Sequence, residues 1–191
     1  MKAFSISFKN KSRRQQMIEI SCSGDDIAIP ISKDEVEYFC HFVLDFLKEG
    51  EKVFSLAFID SSAMREMNGR YRGKDAPTDV LSFCFLEDDS KGFPDDGFLG
   101  ELYVSPEQVA ENAKESDEGF DVELLRVITH GILHLSGYSH EDDADLDEVM
   151  RKLESEVVAD GDMSETQRMF ALQEHILAEY SKDKAVSRKN D

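Results

Sequence analysis

The sequence predicts a single α+β domain, a small mixed β-sheet packed by helices. Three observations carry that expectation. Strand-like and helix-like stretches follow one another along the chain, and no internal repeat or linker divides them. The 191 residues, 40% of them hydrophobic, suffice for one sizeable core.

The elements are expected in this order. Residues 3 to 9 alternate as a strand, and Ile27 to Ile31 make a short second extended segment near Pro30. Ser32-Lys33-Asp34-Glu35 is a helix start; Val36, Phe39, Cys40, Val43, Leu44 and Leu47 then recur at helical spacing, with Gly50 just beyond the end. Val53 to Ile59 is a strand by its apolar and β-branched content. Ser61 or Ser62 is placed to cap a helix running towards Tyr71, with Met64 and Met67 on a core face. Val80 to Leu86 and Leu99 to Ser105 read as two further strands, joined by the acidic, solvated stretch Glu87 to Gly97.

Ser105-Pro106-Glu107 opens a helix with proline at its first position, Asp121 begins the next, and Asp142 onwards forms another. Met169, Phe170, Leu172, Ile176, Leu177 and Tyr180 recur at roughly helical spacing, which predicts an amphipathic C-terminal helix packed on the body. Gln173 and Glu174 fall on its polar side, His175 is expected in solvent, His41 partly so, and Lys182 to Asp191 reads as a frayed tail. The main domain is thus residues 1–162, with 163–191 a helical extension and tail.

The chemistry concentrates in His130-Gly131-Ile132-Leu133-His134-Leu135-Ser136-Gly137-Tyr138-Ser139-His140. On a helix, His130 and His134 project from one face, one turn apart. Gly137 can end that helix in a left-handed conformation and turn the chain so that His140 swings back. A lone buried histidine is ordinarily a core residue with a hydrogen-bond partner. Here Val127 to Leu135 holds only Thr129, His130 and His134 as polar side chains, so two imidazoles must find partners on a helix buried nearly all round. One shared metal satisfies both. Three neutral imidazoles leave a tetrahedral zinc one open position, which marks a catalytic rather than a structural site.

Metzincin proteases share this ligand spacing but carry a glutamate general base where this chain has Gly131. Losing that base removes a term worth roughly 100-fold to 10,000-fold in rate. Phosphodiester cleavage asks instead for a metal and an arginine that stabilise phosphoryl charge. Arg70-Tyr71-Arg72-Gly73-Lys74 supplies three cations in five residues, just before a strand.

Together, YRGKDAPTDVLSF and HGILHLSGYSH resemble the bacterial YbeY family of metal-dependent endoribonucleases. Met67-Asn68, ahead of the basic turn, and Leu99-Gly100-Glu101-Leu102-Tyr103-Val104-Ser105 fit the same pattern in the same order, and the likeness covers roughly residues 1 to 160. By this resemblance His130, His134 and His140 match the ligands of one zinc ion, and Arg72 matches a functionally important, catalytic arginine. Arg70 and Lys74 are expected to contact substrate. The resemblance implies cleavage of single-stranded RNA in ribosomal RNA maturation, at the 3′ end of the small-subunit RNA, and a part in ribosome quality control. It also implies ribosomal RNA and ribosome or assembly-factor proteins as partners, with neither membrane nor DNA. The chain departs from the family at Ser139, where an aspartate is usual, and at Glu101, which replaces a shorter aspartate. Another metallohydrolase, including one like a metalloprotease, and a non-catalytic assembly factor with a structural metal are the rival readings.

Net charge is −19, which repels RNA as a whole, but the excess is local. Residues 101 to 150 hold fourteen acidic and two basic residues, whereas residues 1 to 100 hold eighteen and thirteen. RNA is therefore expected to approach from the Arg70, Arg72 and Lys74 side. Three cysteines without C-x-x-C spacing argue against a disulfide framework and for a reducing cytoplasm. No apolar run is long enough to span a membrane, and the cations from Lys9 to Arg14 interrupt any signal-peptide core.

Overall fold

A computed structural model of the chain describes residues 18–23, 27, 29–85, 97–138 and 164–187. In chain order these form β1 (Glu19–Ser23), α1 (Lys33–Phe46), β2 (Val53–Ile59), α2 (Ser61–Arg72), β3 (Val80–Cys84), β4 (Phe98–Val104), α3 (Pro106–Glu115), α4 (Phe120–Leu135) and α5 (Glu165–Ser187). The four strands make one mixed sheet in the order β1-β2-β4-β3. β1 and β4 both run parallel to β2, and β3 runs antiparallel to β4. This is the α+β architecture the sequence predicts.

Side-chain alternation divides the sheet into two unequal faces. Phe54, Leu56 and Phe58 of β2 and Leu102 and Val104 of β4 join the main core with residues of α1, α4 and α5. The opposite face carries Ile59, Leu81, Phe83 and Tyr103, covered by Met64 and Met67 of α2. Gly100 sits where the β2–β4 register shifts, at φ +148°. A Cβ there would lie 2.1 Å from the Phe83 carbonyl oxygen, so glycine is what allows β3 to pair so closely. Through this bulge Leu99 and Leu102 both reach the main core.

Helix starts follow local chemistry. The Ser32 hydroxyl accepts from the Glu35 amide to open α1, as expected. At the other end the left-handed turn is taken by Lys48, at φ +66°, not by Gly50. α2 is capped by Asp60, whose carboxylate accepts from the Ala63 amide at 2.8 Å, so neither Ser61 nor Ser62 is the cap. α4 begins one residue before Asp121, from Gly119, with no side-chain cap.

Other boundaries also move. The strand expected at residues 3 to 9 and the helix from Asp142 lie outside the described residues. Ile27 and Ile29 to Ile31 form no strand; the edge position belongs to Glu19–Ser23, which hides only Ile20 in the core and is otherwise polar or exposed. The strand expected to reach Leu86 ends at Cys84, and the one expected from Leu99 to Ser105 runs Phe98–Val104. α5 continues through Ser187, so Lys182 to Ser187 is helix rather than frayed tail. His175 is half-buried with its ring 5.8 Å from that of Phe46. No helix among the described residues is long and apolar enough to cross a membrane.

Candidate metal centre

α4 lies flat on the sheet because Gly131 faces Leu102. A Cβ at 131 would come within 2.2 Å of Leu102 Cδ1, so any side chain there must push the helix or repack a buried leucine. A glutamate at 131 would have to enter this apolar contact. The residue that distinguishes the sequence from a protease therefore has a packing reason of its own. Gly137 ends the helix at φ +93°, as expected. Its amide donates to the His134 carbonyl and the Tyr138 amide to the Leu133 carbonyl, a pair of bonds that closes the last turn.

This frame brings His130 and His134 together. Their rings are nearly perpendicular, with centroids 4.7 Å apart, and their Nε2 atoms are 3.2 Å apart. The Nδ1 atoms point the other way. His134 Nδ1 is 2.8 Å from the Tyr138 carbonyl oxygen, which can only accept, so this nitrogen donates. His130 Nδ1 is 3.2 Å from Gln173 Oε1. Gln173 Nε2 donates to Glu174 Oε1, which fixes which end of the amide faces the histidine and makes His130 Nδ1 the donor as well.

With both protons on Nδ1, two Nε2 lone pairs confront one another. A cation held by both nitrogens suits that arrangement. Two nitrogens each roughly 2.0–2.1 Å from one tetrahedral zinc lie about 3.3 Å apart, close to the observed separation. The pair therefore fits a metal, and each ring has the hydrogen-bonded Nδ1 usual for a ligating histidine. His140 and Ser139 lie outside the described residues. Among those described, no three His, Cys, Asp or Glu side chains form a ready-made metal group.

A cavity of about 190 Å³ opens beside His130, between the start of β3, α4 and α5. Asp79 and Phe170 border it. The Asp79 carboxylate is held by the Val80 amide at 2.8 Å, Thr78 Oγ1 at 3.1 Å and Asn112 Nδ2 at 3.1 Å. The Phe170 ring lies 24° from parallel with the His130 ring and is 48% exposed. Arg126 also lines the cavity. It donates to Glu118 and Glu123 through Nη1 and to Glu174 through Nε, and these carboxylates, Glu118 first, raise its pKa far above the usual range. Arg126 is thus a fixed cation that ties α4 to α5.

The basic turn is placed differently. Arg70 and Arg72 occupy the exposed last turn of α2, where cations suit the helix dipole, and Lys74 follows Gly73, whose φ is +69°. Arg70 lies over the Tyr71 ring at 5.5 Å. Arg72 and Lys74 make no ion pair with another described residue. α2 covers the opposite face of the sheet from α4, so Arg72 is not packed with the histidines. The segment after it is pinned by the Arg65–Asp75 ion pair and by Asn68 Nδ2 donating to the Ala76 carbonyl, and it leads to Asp79 at the cavity. Glu101 accepts from the Tyr103 hydroxyl at 3.1 Å on the α2 side; burial first, then Glu101, raises that phenol's pKa.

Sequence reading missed three residues of this site. Gln173, expected on a polar face, is 2% exposed and holds His130. Asp79 stands in the YRGKDAPTDVLSF motif without a role read from it, and Arg126 was not singled out; the partners that place them in the site, Asn112 and Glu174, come from other elements. Gln173 stands 43 positions after His130 in the chain, and only the fold that lays one helix on the other reveals it as the polar partner.

A family model described as Endoribonuclease YbeY matches residues 19–162. An Endoribonuclease YbeY of Thermodesulfovibrio yellowstonii is 41% identical over 107 residues, 56% of this chain and 65% of that protein. One from Rhizobium etli is 33% identical over 154 residues, 74% of this chain and 88% of its own length. A solution structure from Thermotoga maritima is 28% identical with a TM-score of 0.49, covering 87% of this chain and 93% of that one. The chain spans little more than half the length of several relatives, 52% for the one from Thermotoga neapolitana.

Proposed function

This chain belongs to the YbeY family, and on that premise we propose that it is a zinc-dependent endoribonuclease that cuts single-stranded RNA during ribosomal RNA maturation. The observation that carries this reading is the His130–His134 pair, with Nε2 atoms 3.2 Å apart and each Nδ1 engaged elsewhere. His130, His134 and, by the sequence motif, His140 would hold the ion. Bound zinc supplies Lewis-acid polarisation of a phosphoryl oxygen and an acidified water.

The chain's own residues do the rest. Tyr138 and Gln173 keep the imidazoles oriented with their Nε2 lone pairs towards one point. The exposed guanidinium of Arg72 neutralises phosphate charge, with Arg70 and Lys74 beside it to guide the strand. Because these cations sit across the sheet from the histidines, the RNA path runs around the β3 edge, where Asp79 and the cavity lie. The contact of Gly131 with Leu102 weighs against a peptidase, which needs a carboxylate at that point in the motif. Small-subunit RNA 3′-end maturation, ribosome quality control and ribosomal partners in the cytoplasm belong to the same reading. The free cysteines accord with that compartment.

The test is cleavage of a single-stranded RNA by the purified chain, before and after chelation and after zinc is restored, with a peptide substrate alongside. Zinc-restored RNA cleavage with the peptide intact supports the proposal. Peptide cleavage with RNA intact, or RNA cleavage that ignores chelation, contradicts it.

A further inference from the structure

We infer that Gln173, on the helix beyond the residues matched by the family model, is a positioning residue that sets the tautomer of His130 and thereby tunes metal affinity. The helix is α5, and the matched residues end at 162. The inference deepens the proposed zinc reading and rests on it for the affinity, though not for the tautomer.

The argument is one of forced donors and acceptors. Gln173 is almost wholly buried, so its amide must satisfy its hydrogen bonds within the protein. Glu174 Oε1 accepts from Gln173 Nε2 at 3.2 Å, and the same oxygen accepts from Arg126 Nε at 2.8 Å. A carboxylate oxygen cannot donate, so it fixes the amide with Nε2 outward and Oε1 towards His130. Oε1 in turn can only accept. His130 must therefore carry its proton on Nδ1 and present Nε2 as a lone pair beside His134.

The anchoring is equally specific. Met169, Leu172, Ile176 and Leu177 hold α5 in the main core on either side of Gln173. Arg126 comes from α4, one turn before His130, so the helix that bears the histidine also steers the residue that orients it. Without Gln173 both tautomers of His130 become accessible, and the one protonated on Nε2 cannot ligate through that atom.

The experiment uses the full chain as wild type, Gln173→Met, Gln173→Glu and Leu177→Ala. Zinc affinity is measured by competition with a chelator, the His130 tautomer by nitrogen NMR of the metal-free protein above the histidine titration range, and folding by thermal unfolding. Loss of a hydrogen bond to a ligating histidine typically costs about 10-fold to 100-fold in metal affinity. Gln173→Met should show that loss and a mixed His130 tautomer. Gln173→Glu, which still accepts from Nδ1, should restore most of the affinity. Leu177→Ala should lower the unfolding temperature yet leave zinc affinity and tautomer near wild type.

An unchanged tautomer and affinity in Gln173→Met would overturn the inference, as would equal losses in Leu177→Ala. Absence of zinc binding by wild type would defeat the metal reading instead, while the tautomer measurement still decides the role of Gln173.

Discussion

α4 and α2 cover opposite faces of one sheet, and they differ in how deeply they are packed. Around α4 the core is thick: Leu124, Ile128, Ile132 and Leu133 are fully buried, and both histidines have their outer nitrogens held. Around α2 the buried cluster comprises Ile59, Met64 and Leu81, and the cations at the helix end project into solvent. A metal site needs ligands fixed to a fraction of an ångström, which a packed helix with hydrogen-bonded side chains helps to provide. A polyanion that must arrive and leave needs charge without rigid geometry. Under the proposed function, the difference between the faces matches the difference between these requirements.

Breaking the packed face should have the largest effect on stability. Gly131→Ala forces a methyl into Leu102 and should cost about 1–3 kcal/mol in chemical denaturation, the usual range for overpacking. Gly131→Glu should be worse, since it adds a buried carboxylate. A neutral Gly131→Ala would mean α4 does not lie as close to β4 as described. Arg126→Met tests the tie between α4 and α5. It leaves the buried Glu123 without its cation and should destabilise by about 1–3 kcal/mol, the cost of a buried unsatisfied polar group.

The exposed face predicts a change in binding with little change in stability. Reversing charge at Arg72 and Lys74 should weaken RNA binding much more than reversal at Arg188 and Lys189. It should also flatten the salt dependence, by roughly 0.7 in log–log slope for each phosphate that is no longer neutralised. Equal effects of the two pairs would sink the proposed entry route.

The smallest effect is a pH dependence at the Arg126 cluster. The hydrogen bond from Arg126 lowers the pKa of Glu118 below its ordinary value. A depressed folded-state value means that this contribution is present above the unfolded glutamate pKa, about 4.3, and is lost as pH falls through the folded value. Acid unfolding curves of wild type should therefore lose a small increment in that window that Arg126→Met lacks.

The parts of this molecule that were legible in the sequence are those set by neighbours in the chain. The four-residue spacing of His130 and His134 and the glycine that closes their helix are local facts, and the structure keeps both. The Ser32 cap and the apolar run of β2 are of the same kind. What escaped was set by distant contacts. β1 is a short edge strand whose pairing with β2 makes it a strand, although its own residues EISCS carry little β signal. Gln173 looks like a surface residue until α5 is laid on α4. Asp60 shows a milder failure, since three good capping residues stand in a row and only backbone geometry selects among them.

The most direct test of the central claim is to measure zinc content and RNA cleavage in the same preparations of wild type and His134→Ala. Wild type should bind one zinc ion per chain and cut single-stranded RNA, and His134→Ala, still folded, should lose both. A His134→Ala protein that cleaves RNA at the wild-type rate without bound metal would contradict the account.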